Sequence, residues 1–373
     1  MKNVLIRVSW AFAIALALGA PAAAQIQDNT TYGGTAAEFL LLGAGARGTA
    51  LGGAYAALTT DVTALYYNPG GLALMTRPGA MVSTYTYIAG TRYTWAGVAF
   101  PISGGSRAVG VSIGTFGFSN APVYTLDNPE GDGSTYSVSE TFLAGTYSQN
   151  FSDRFSAGFS AKFISDKLGQ TSAQAVAIDF GTNFHATVGA RPIRGAFIIE
   201  NLGSNLQHTG SGLDQVVVRQ PPLGTVNVPQ EPQPASLKAS SWSLPVLFRV
   251  SVALDLVNQA QNRITLLSEF TQPNNNKPGA GAGLEYALTG IGTTGFSLAA
   301  RGSYTIQPAN NLDAGSAAGF TSKYSASSLT SYGVAVGGGI GYHRGNVQLG
   351  FDYAYKNLGP LGGTDYFSFS LGW

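Results

Sequence analysis

The stretch NVQLGFDYAYK, residues 346–356, alternates strictly between two kinds of side chain. One face of the extended chain carries Val347, Leu349, Phe351, Tyr353 and Tyr355, and the other carries Gln348, Gly350, Asp352 and Ala354. Successive side chains of a strand point to opposite faces, so this pattern predicts a β-strand with one apolar, aromatic face. Such a strand suits a barrel wall with lipid outside and a polar lumen inside.

Similar alternation recurs from about residue 79 to the last residue of the sequence. The predicted strands are 79–88, 93–101, 106–117, 136–150, 155–168, 174–188, 193–201, 243–255, 262–271, 279–288, 293–306, 330–343, 346–356 and 364–373. Long connections, near 118–135, 202–242 and 307–329, all follow odd-numbered strands, and connections after even-numbered strands are short. Bacterial barrels have short periplasmic turns and long external loops, so this parity favours an all-β fold, a 14-stranded antiparallel transmembrane β-barrel.

The last strand carries a second indication. In YFSFSLGW, residues 366–373, Phe367, Phe369, Leu371 and Trp373 share one face. A C-terminal strand that ends in an aromatic residue resembles the signal by which outer-membrane barrels are recognised for insertion. We therefore expect the barrel-insertion machinery and outer-membrane lipid as partners.

Composition narrows the class of protein. The 373 residues contain no cysteine, which excludes a disulfide framework and thiolate chemistry, and a net charge of +1 argues against a nucleic-acid partner. Residues 1–24 have a basic start, an apolar stretch and a small-residue cleavage site, as secretory signal peptides do. The sequence therefore predicts an exported protein that is integral to the outer membrane of a Gram-negative-type bacterium, with residues 79–373 as the barrel.

Residues 25–78 do not alternate, and we expect them to form a small helical plug inside the barrel. Thr35 and Glu38 have the spacing of a capping box for a helix through Leu42, and residues 49–58 suit a second helix. Asp61 can cap a third helix, which Asn68-Pro69 would stop. Gly70-Gly71 would then supply the permissive dihedral angles for a turn toward the first strand. The two tyrosines before Asn68 are expected to pack against the inner wall.

Glycines 43, 45 and 48 have the spacing G-x-G-x-x-G, which is also that of a dinucleotide-binding turn. No βαβ unit follows, and nucleotide cofactors are scarce outside the cytoplasm. The interpretation of these glycines as tight turns and close packing sites in a plug is therefore favoured, and no cofactor is expected.

The stretch FLLLGAGARGTALGGAYAALTTDVTALYYNPGGLALM, residues 39–75, resembles the N-terminal signature of the PorV/PorQ family, within the wider FadL-like outer-membrane barrels. Gly70 stands where that family usually has alanine. The resemblance implies a fourteen-stranded barrel with an N-terminal plug, or hatch. The corresponding plug-motif residues are Gly43, Gly45, Arg47, Gly48, Gly52, Gly53, Asp61, Asn68, Pro69, Gly70 and Gly71.

Charged and polar side chains of the wall fall on the face opposite the apolar one. They are Lys162, Asp179, His185, Arg194, Glu200, Arg249, Asp255, Glu269, Glu285, Arg301 and Asp352. A Lys or Arg facing lipid at mid-depth costs about 2–4 kcal/mol, so the lumen is the favoured location. Both signs of charge are present, which predicts a network that seats the plug; a polar path or gate beside the plug is the alternative.

Other candidate sites are weaker. His185, His208 and His343 show no spacing that pairs them with a nucleophile, so an enzyme is not expected. Asp127, Glu130 and Asp132 offer oxygen ligands for calcium in an external loop, although their spacing is not that of an EF-hand. The proline-rich stretch 219–234 suggests an extended external loop or lid.

Two functions remain open. FadL-like barrels carry hydrophobic compounds across the outer membrane, whereas PorV-type members serve type IX protein secretion. The resemblance therefore implies either transport of an apolar small-molecule ligand past the plug or a structural or shuttle component that docks secretion-system proteins. Transport is favoured because no loop sequence indicates a protein-docking surface.

Overall fold

A computed structural model describes residues 34–218, 231–291, 295–307 and 333–373. The predicted signal peptide and residues 25–33 of the predicted plug lie outside the described residues.

Fourteen antiparallel strands close into one barrel, as the alternating segments predict. We label them β1 to β14 in chain order. They span Gly79–Thr86, Arg92–Ile102, Arg107–Pro122, Thr135–Ser152, Phe155–Leu168, Thr171–Val188, Arg191–Gly203, Leu247–Asn258, Asn262–Pro273, Gly279–Ile291, Phe296–Ile306, Val334–Arg344, Val347–Asn357 and Gly363–Gly372. Each strand pairs with its neighbours in sequence, and β14 pairs with β1 to close the wall. The fold prediction is therefore confirmed.

The connections separate the two ends of the barrel. Those after even-numbered strands have at most four residues, whereas those after β3, β7 and β11 span 123–134, 204–246 and 307–333. We call these ends the short-turn end and the long-loop end. In the 204–246 connection, Leu206–Gln207 pairs with Ser241–Trp242, and Asp214–Val217 pairs with Gln233–Ser236.

Three predicted strand boundaries are wrong by four or five residues: the third strand ends at Pro122, not at residue 117, the twelfth begins at Val334, not at residue 330, and the eighth is also displaced at its start. The eighth strand begins at Leu247, not at residue 243, and Leu244 is buried rather than on the outer face. Pro245 has no N–H to give to a ladder, and the N–H of Val246 turns back to the carbonyl of Leu244. The wall ladder therefore starts after this tight turn.

The two faces of the wall differ as the alternation predicts. Outward-facing Val111, Phe180 and Phe369 are each at least 46% exposed, whereas inward-facing Trp95, Ser160 and Ala354 are fully buried. What buries the inward face is the N-terminal segment, residues 34–78, which packs against it. Among the described residues, no helix has the length and hydropathy needed to cross a membrane.

The N-terminal segment contains short helices joined by turns. Its 3-10 helices are Glu38–Leu41 and Pro69–Leu74, and its α-helices are Ala46–Ala50 (α1) and Ala64–Tyr67 (α2). The predicted helix over 49–58 is wrong, because Gly52 and Gly53 take positive φ angles and the chain continues as turns. The predicted capping box is also absent: Ala37 occupies the N-cap, and Thr35 instead bonds the side chain of Glu38.

Candidate functional site

The interface between the N-terminal segment and the barrel wall is the candidate functional site, and Asn68 lies at its centre. Helix α2 ends at Tyr67, where the Asn-Pro pair predicts its end, and Asn68 is extended. Its side-chain Nδ2 donates to the carbonyls of Ala56, at 3.0 Å, and of Thr182 in β6, at 3.1 Å. Its Oδ1 accepts from the N–H of Gly70 at 3.0 Å. One fully buried amide thus joins two parts of the segment to the wall.

Gly70 and Gly71 serve a different purpose from the predicted one. Neither has a positive φ, since both lie in the 3-10 helix that begins at Pro69. They are instead required by close approach: a Cβ on Gly70 would lie 2.7 Å from the carbonyl oxygen of Gly181, and one on Gly71 would lie 2.2 Å from that of Thr59. The segment therefore lies backbone-to-backbone against β6.

The three glycines of the G-x-G-x-x-G pattern pack closely against Tyr67 and against the wall. A Cβ on Gly43 would lie 3.0 Å from the Tyr67 hydroxyl, and one on Gly48 would lie 2.4 Å from its ring. Gly45 has φ +90 and would place a Cβ 2.8 Å from Cε of Met81 in β1. Burial raises the pKa of the Tyr67 phenol well above its ordinary value, so the ring remains neutral. The glycines connect the 3-10 helix Glu38–Leu41 to α1, so no strand precedes this turn.

A first charge cluster, the Glu285 cluster, links the segment to the wall through a single carboxylate. Arg47 of α1 donates from Nε and Nη2 to the two oxygens of Glu285, each at 2.9 Å. Arg301 donates from Nε to the same carboxylate at 2.7 Å and from Nη1 to Asp352 at 2.6 Å. Arg263 approaches Glu285 at 3.4 Å. Because the Glu285 side chain is 1% exposed, these guanidiniums replace its lost hydration.

The Glu285 cluster borders a cavity of about 390 Å³ between the segment and the wall. Arg47, Asp61 and Arg301 line this cavity, and so do Arg77 and Gln348 near the short-turn end. Burial alone would lower the pKa of Arg47, but Glu285, Tyr55 and Asp61 raise it well above its ordinary value. Arg47 therefore carries its charge permanently, next to a space that extends toward the short-turn end.

A second charge cluster, the Arg249 cluster, lies toward the long-loop end. Arg249 is 3.3 Å from Glu200 and 3.7 Å from Glu269, and its guanidinium lies 5.8 Å from the ring centre of Tyr67. Each of these charged side chains is at most 7% exposed. The Tyr67 ring, which packs on the glycines described above, therefore also contacts a buried ion-pair group of the wall.

The Lys162–Asp179 pair depends on a residue that the sequence analysis missed. Nζ of Lys162 lies 2.7 Å from Asp179 and donates to Oδ1 of Asn201 at 2.7 Å. Asn201 has a positive φ of 61, and its N–H donates to Asp179 at a register shift between β6 and β7. Its Nδ2 donates to the carbonyl of Pro245. No sequence signal marks Asn201, because its role comes from the bulge.

The remaining predicted lumen residues lie apart from both clusters. Arg194 pairs with Asp255, which also accepts from Thr265 at 2.8 Å. His185 is half-buried, and its Nε2 has no hydrogen-bond partner among the described residues. His208 instead contacts Asp166 at 3.3 Å, a pair that ties the 204–246 connection to β5.

The candidate calcium ligands have a local explanation. Oδ1 of Asp132 accepts from the N–H and hydroxyl of Ser134, and this bonding lowers the pKa of that exposed carboxyl. Across residues 34–218, 231–291, 295–307 and 333–373, no group of three His, Cys, Asp or Glu side chains could hold a metal ion. Most of the proline-rich stretch, residues 219–230, lies outside the described residues.

Fold and site together define a class: a closed fourteen-stranded barrel whose lumen holds its own N-terminal segment. No protein-family model matches the chain, and no curated protein matches it.

Three of the solved structures similar to this chain are named as channels or transporters, and their sequence identity to it is low. The Ralstonia pickettii toluene transporter TbuX has a TM-score of 0.53 at 11% identity, covering 90% of this chain and 98% of its own. The monoaromatic hydrocarbon channel CymD has a TM-score of 0.52 at 11% identity, and the match covers 89% of this chain and 97% of CymD. The Pseudomonas putida toluene transporter TodX has a TM-score of 0.50 at 9% identity, and the match covers 87% of this chain and 95% of TodX. At such identities the likeness establishes the barrel fold.

Proposed function

We propose that this protein is a FadL-like channel of the outer membrane that transports hydrophobic small molecules past residues 25–78, which act as a plug. The observation that carries the proposal is the filled lumen: the described part of the segment, residues 34–78, is bonded to the wall by side chains and not by a continuous ladder. Three structurally similar proteins are named as channels or transporters of toluene or monoaromatic hydrocarbons, which supports this class of substrate.

In this proposal the wall is the fixed part and the segment is the moving part. The wall is held by backbone ladders between every pair of neighbouring strands. The segment is held by the bonds of Asn68, by the Glu285 cluster and by glycine packing, all of which can break separately from the wall. Displacement of the segment toward the cavity of about 390 Å³ opens a route without breaking the barrel. We assign the short-turn end to the periplasm and the long-loop end to the exterior.

A reversible covalent link between segment and wall tests this mechanism. A Cβ on Gly281, which faces inward from β10, would lie 3.7 Å from Cβ of Ala54 in the segment. That separation falls within the range of about 3.5–4.5 Å between Cβ atoms in disulfides. The chain has no cysteine of its own, so the pair Ala54→Cys/Gly281→Cys forms the one possible intramolecular disulfide.

Uptake of radiolabelled toluene is measured in a Gram-negative host that lacks hydrocarbon channels of its own. We expect the oxidised double variant to lose at least tenfold of the uptake, and a permeable phosphine reductant to restore it. Each single-cysteine variant should transport like wild type under both conditions. Equal uptake by the oxidised and reduced double variant would show that the segment need not move. Wild-type uptake no higher than that of empty-vector cells would contradict the transport function itself.

The finer assignment, to the PorV/PorQ type, rests on the motif in residues 39–75. Its alternative function, as a component of type IX secretion, predicts that exported proteins with a common C-terminal domain copurify with this chain. Copurification of such cargo, together with wild-type uptake at the empty-vector level, would favour secretion over transport.

A further inference from the structure

The outward face of the barrel carries an apolar groove of about 880 Å³. It crosses seven neighbouring strands, from β12 through β13, β14, β1, β2 and β3 to Leu143 of β4. Ala80 and Ala96 form its floor, and the larger side chains of Ile113, Phe351 and Phe369 rise around them. The groove exists because small residues interrupt an outer face that is otherwise covered by large apolar side chains.

The groove lies in the half of the wall near the short-turn end. Ala80 is the second residue of β1, and Leu371 lies one residue before the end of β14. Trp373 and Phe100 stack edge-to-face below it, with ring centres 6.0 Å apart. Aromatic girdles of this kind mark the level of the lipid headgroups in membrane barrels. In the orientation proposed above, the groove therefore faces the periplasmic leaflet.

Two arginines lie beyond the groove toward the short-turn end, each on the same outward-facing row as lining residues of its strand. On β3 this row runs from Val111 to Arg107, and on β12 it runs from Ile340 through Tyr342 to Arg344. At about 3.3 Å per residue, Arg107 lies about 13 Å beyond Val111, and Arg344 about 7 Å beyond Tyr342. Both arginines are exposed, and neither forms an ion pair among the described residues.

We propose that this groove is a specific site for anionic phospholipid of the periplasmic leaflet. Acyl chains fill the apolar groove, and phosphate groups bind Arg107 at the start of β3 and Arg344 at the end of β12. Five strand spacings of about 4.8 Å separate the strands of the two arginines, so each arginine binds the headgroup of a different lipid. An apolar protein surface in the groove would leave both guanidiniums without a counter-charge, whereas a phosphate supplies one in bidentate geometry. The inference rests on the proposed membrane location but not on transport.

The test compares lipid retention by native mass spectrometry of the purified full-length barrel. The delipidated protein is incubated with mixed micelles of phosphatidylglycerol or of phosphatidylcholine with identical acyl chains. We expect the wild type to retain at least tenfold more phosphatidylglycerol, and Arg107→Gln/Arg344→Gln to lose that preference. The matched control is Arg154→Gln/Arg191→Gln, which removes an arginine of the β4–β5 turn and the first residue of β7, both at the same end of the barrel.

A second pair of variants tests the groove itself. Ala96→Leu fills its floor and should lower retention of both lipids severalfold, whereas Ala161→Leu, on the outward face of β5, should leave it unchanged. Equal retention of the two lipids by wild type, or an equal loss in the control arginine variant, would overturn the proposal. If the wild type shows no lipid preference but takes up toluene, the lipid site alone is refuted. If the wild type prefers phosphatidylglycerol but takes up no toluene, transport alone is refuted.

Discussion

Replacing Asn68 by alanine should release the N-terminal segment while leaving the barrel intact. The side chain makes three hydrogen bonds of 3.0–3.1 Å, two within the segment and one to the carbonyl of Thr182 in the wall, and it is fully buried. At about 1 kcal/mol net for a neutral bond, loss of the bond to Thr182 costs the seated state about 1 kcal/mol relative to a displaced segment, which keeps the two internal bonds in the wild type. Since about 1.4 kcal/mol is a factor of ten, the displaced fraction should rise about fivefold.

The measurement is antibiotic sensitivity of cells, together with permeation of liposomes, for Asn68→Ala and Asn68→Ala/Pro69→Ala at matched barrel levels. The control is Thr146→Val, which removes a buried hydroxyl–hydroxyl bond of 2.7 Å between β4 and β5. That bond joins wall to wall, so its loss should leave permeability unchanged. If the Asn68 variants are inserted correctly and permeability and uptake stay at the wild-type level, the Asn-Pro element is only a linker.

Three further changes have expected outcomes. Gly70→Ala would place a Cβ 2.7 Å from a backbone carbonyl of β6 and should raise permeability as Asn68→Ala does, whereas Gly145→Ala, with open space at its Cβ, should not. Glu285→Gln leaves three arginines without their shared carboxylate and should destabilise the seated segment by about 3–5 kcal/mol. The loss is measured as increased protease sensitivity of the segment, and unchanged resistance to protease would contradict the ion-pair role. In the proposed membrane orientation Phe351 faces lipid, so Phe351→Arg should lower the free energy of unfolding by about 2–4 kcal/mol, measured by urea titration of vesicle-folded protein. Val347→Arg, near the rim, should lower it by only about 0–1 kcal/mol, and equal losses would refute the assigned depth.

The wall could be predicted because one physical contrast repeats along it. Outward-facing positions are mostly apolar and exposed, and inward-facing positions are mostly small or polar and buried against the segment, so a period of two extends over whole strands, as in Val347 to Tyr355. Connection lengths supplied independent information about which end each loop occupies. The displaced start of the eighth strand, at Leu247 instead of residue 243, falls where a proline interrupts an otherwise apolar run.

The segment was harder to predict because its small residues are selected by packing rather than by helix propensity. The alanines and glycines of 49–58 suggest a helix, but Gly52 approaches Ser303 and Thr305 of β11 and takes a positive φ. The capping-box spacing of Thr35 and Glu38 was likewise present without the cap, since Asn275, in the connection between β9 and β10, also bonds to Glu38. Tertiary contacts decided both places.

For the charged residues, alternation predicted the face but not the partners. Partners depend on which strands are neighbours and on their register, as when Glu285 lies directly opposite Arg301 across β10 and β11. The contact of Glu285 with Arg47 requires in addition that α1 lie in the lumen at that height. Asn201 could not be found at all, because its side chain matters only through a register shift.

The seam between β1 and β14 bears on how the molecule is assembled. Those strands pair from Gly79 with Gly372 to Thr84 with Phe367, and the segment touches both from within. Gly45 packs against Met81 of β1, and the N–H of Ala46 donates to the hydroxyl of Ser368 in β14 at 2.7 Å. β14, which follows the other thirteen strands in the chain, therefore closes the cylinder across a segment that contacts both it and β1. If β14 paired with β1 before the segment was in place, some forty residues would have to enter a lumen that the segment itself largely fills. We therefore expect the wall to close around the segment during assembly.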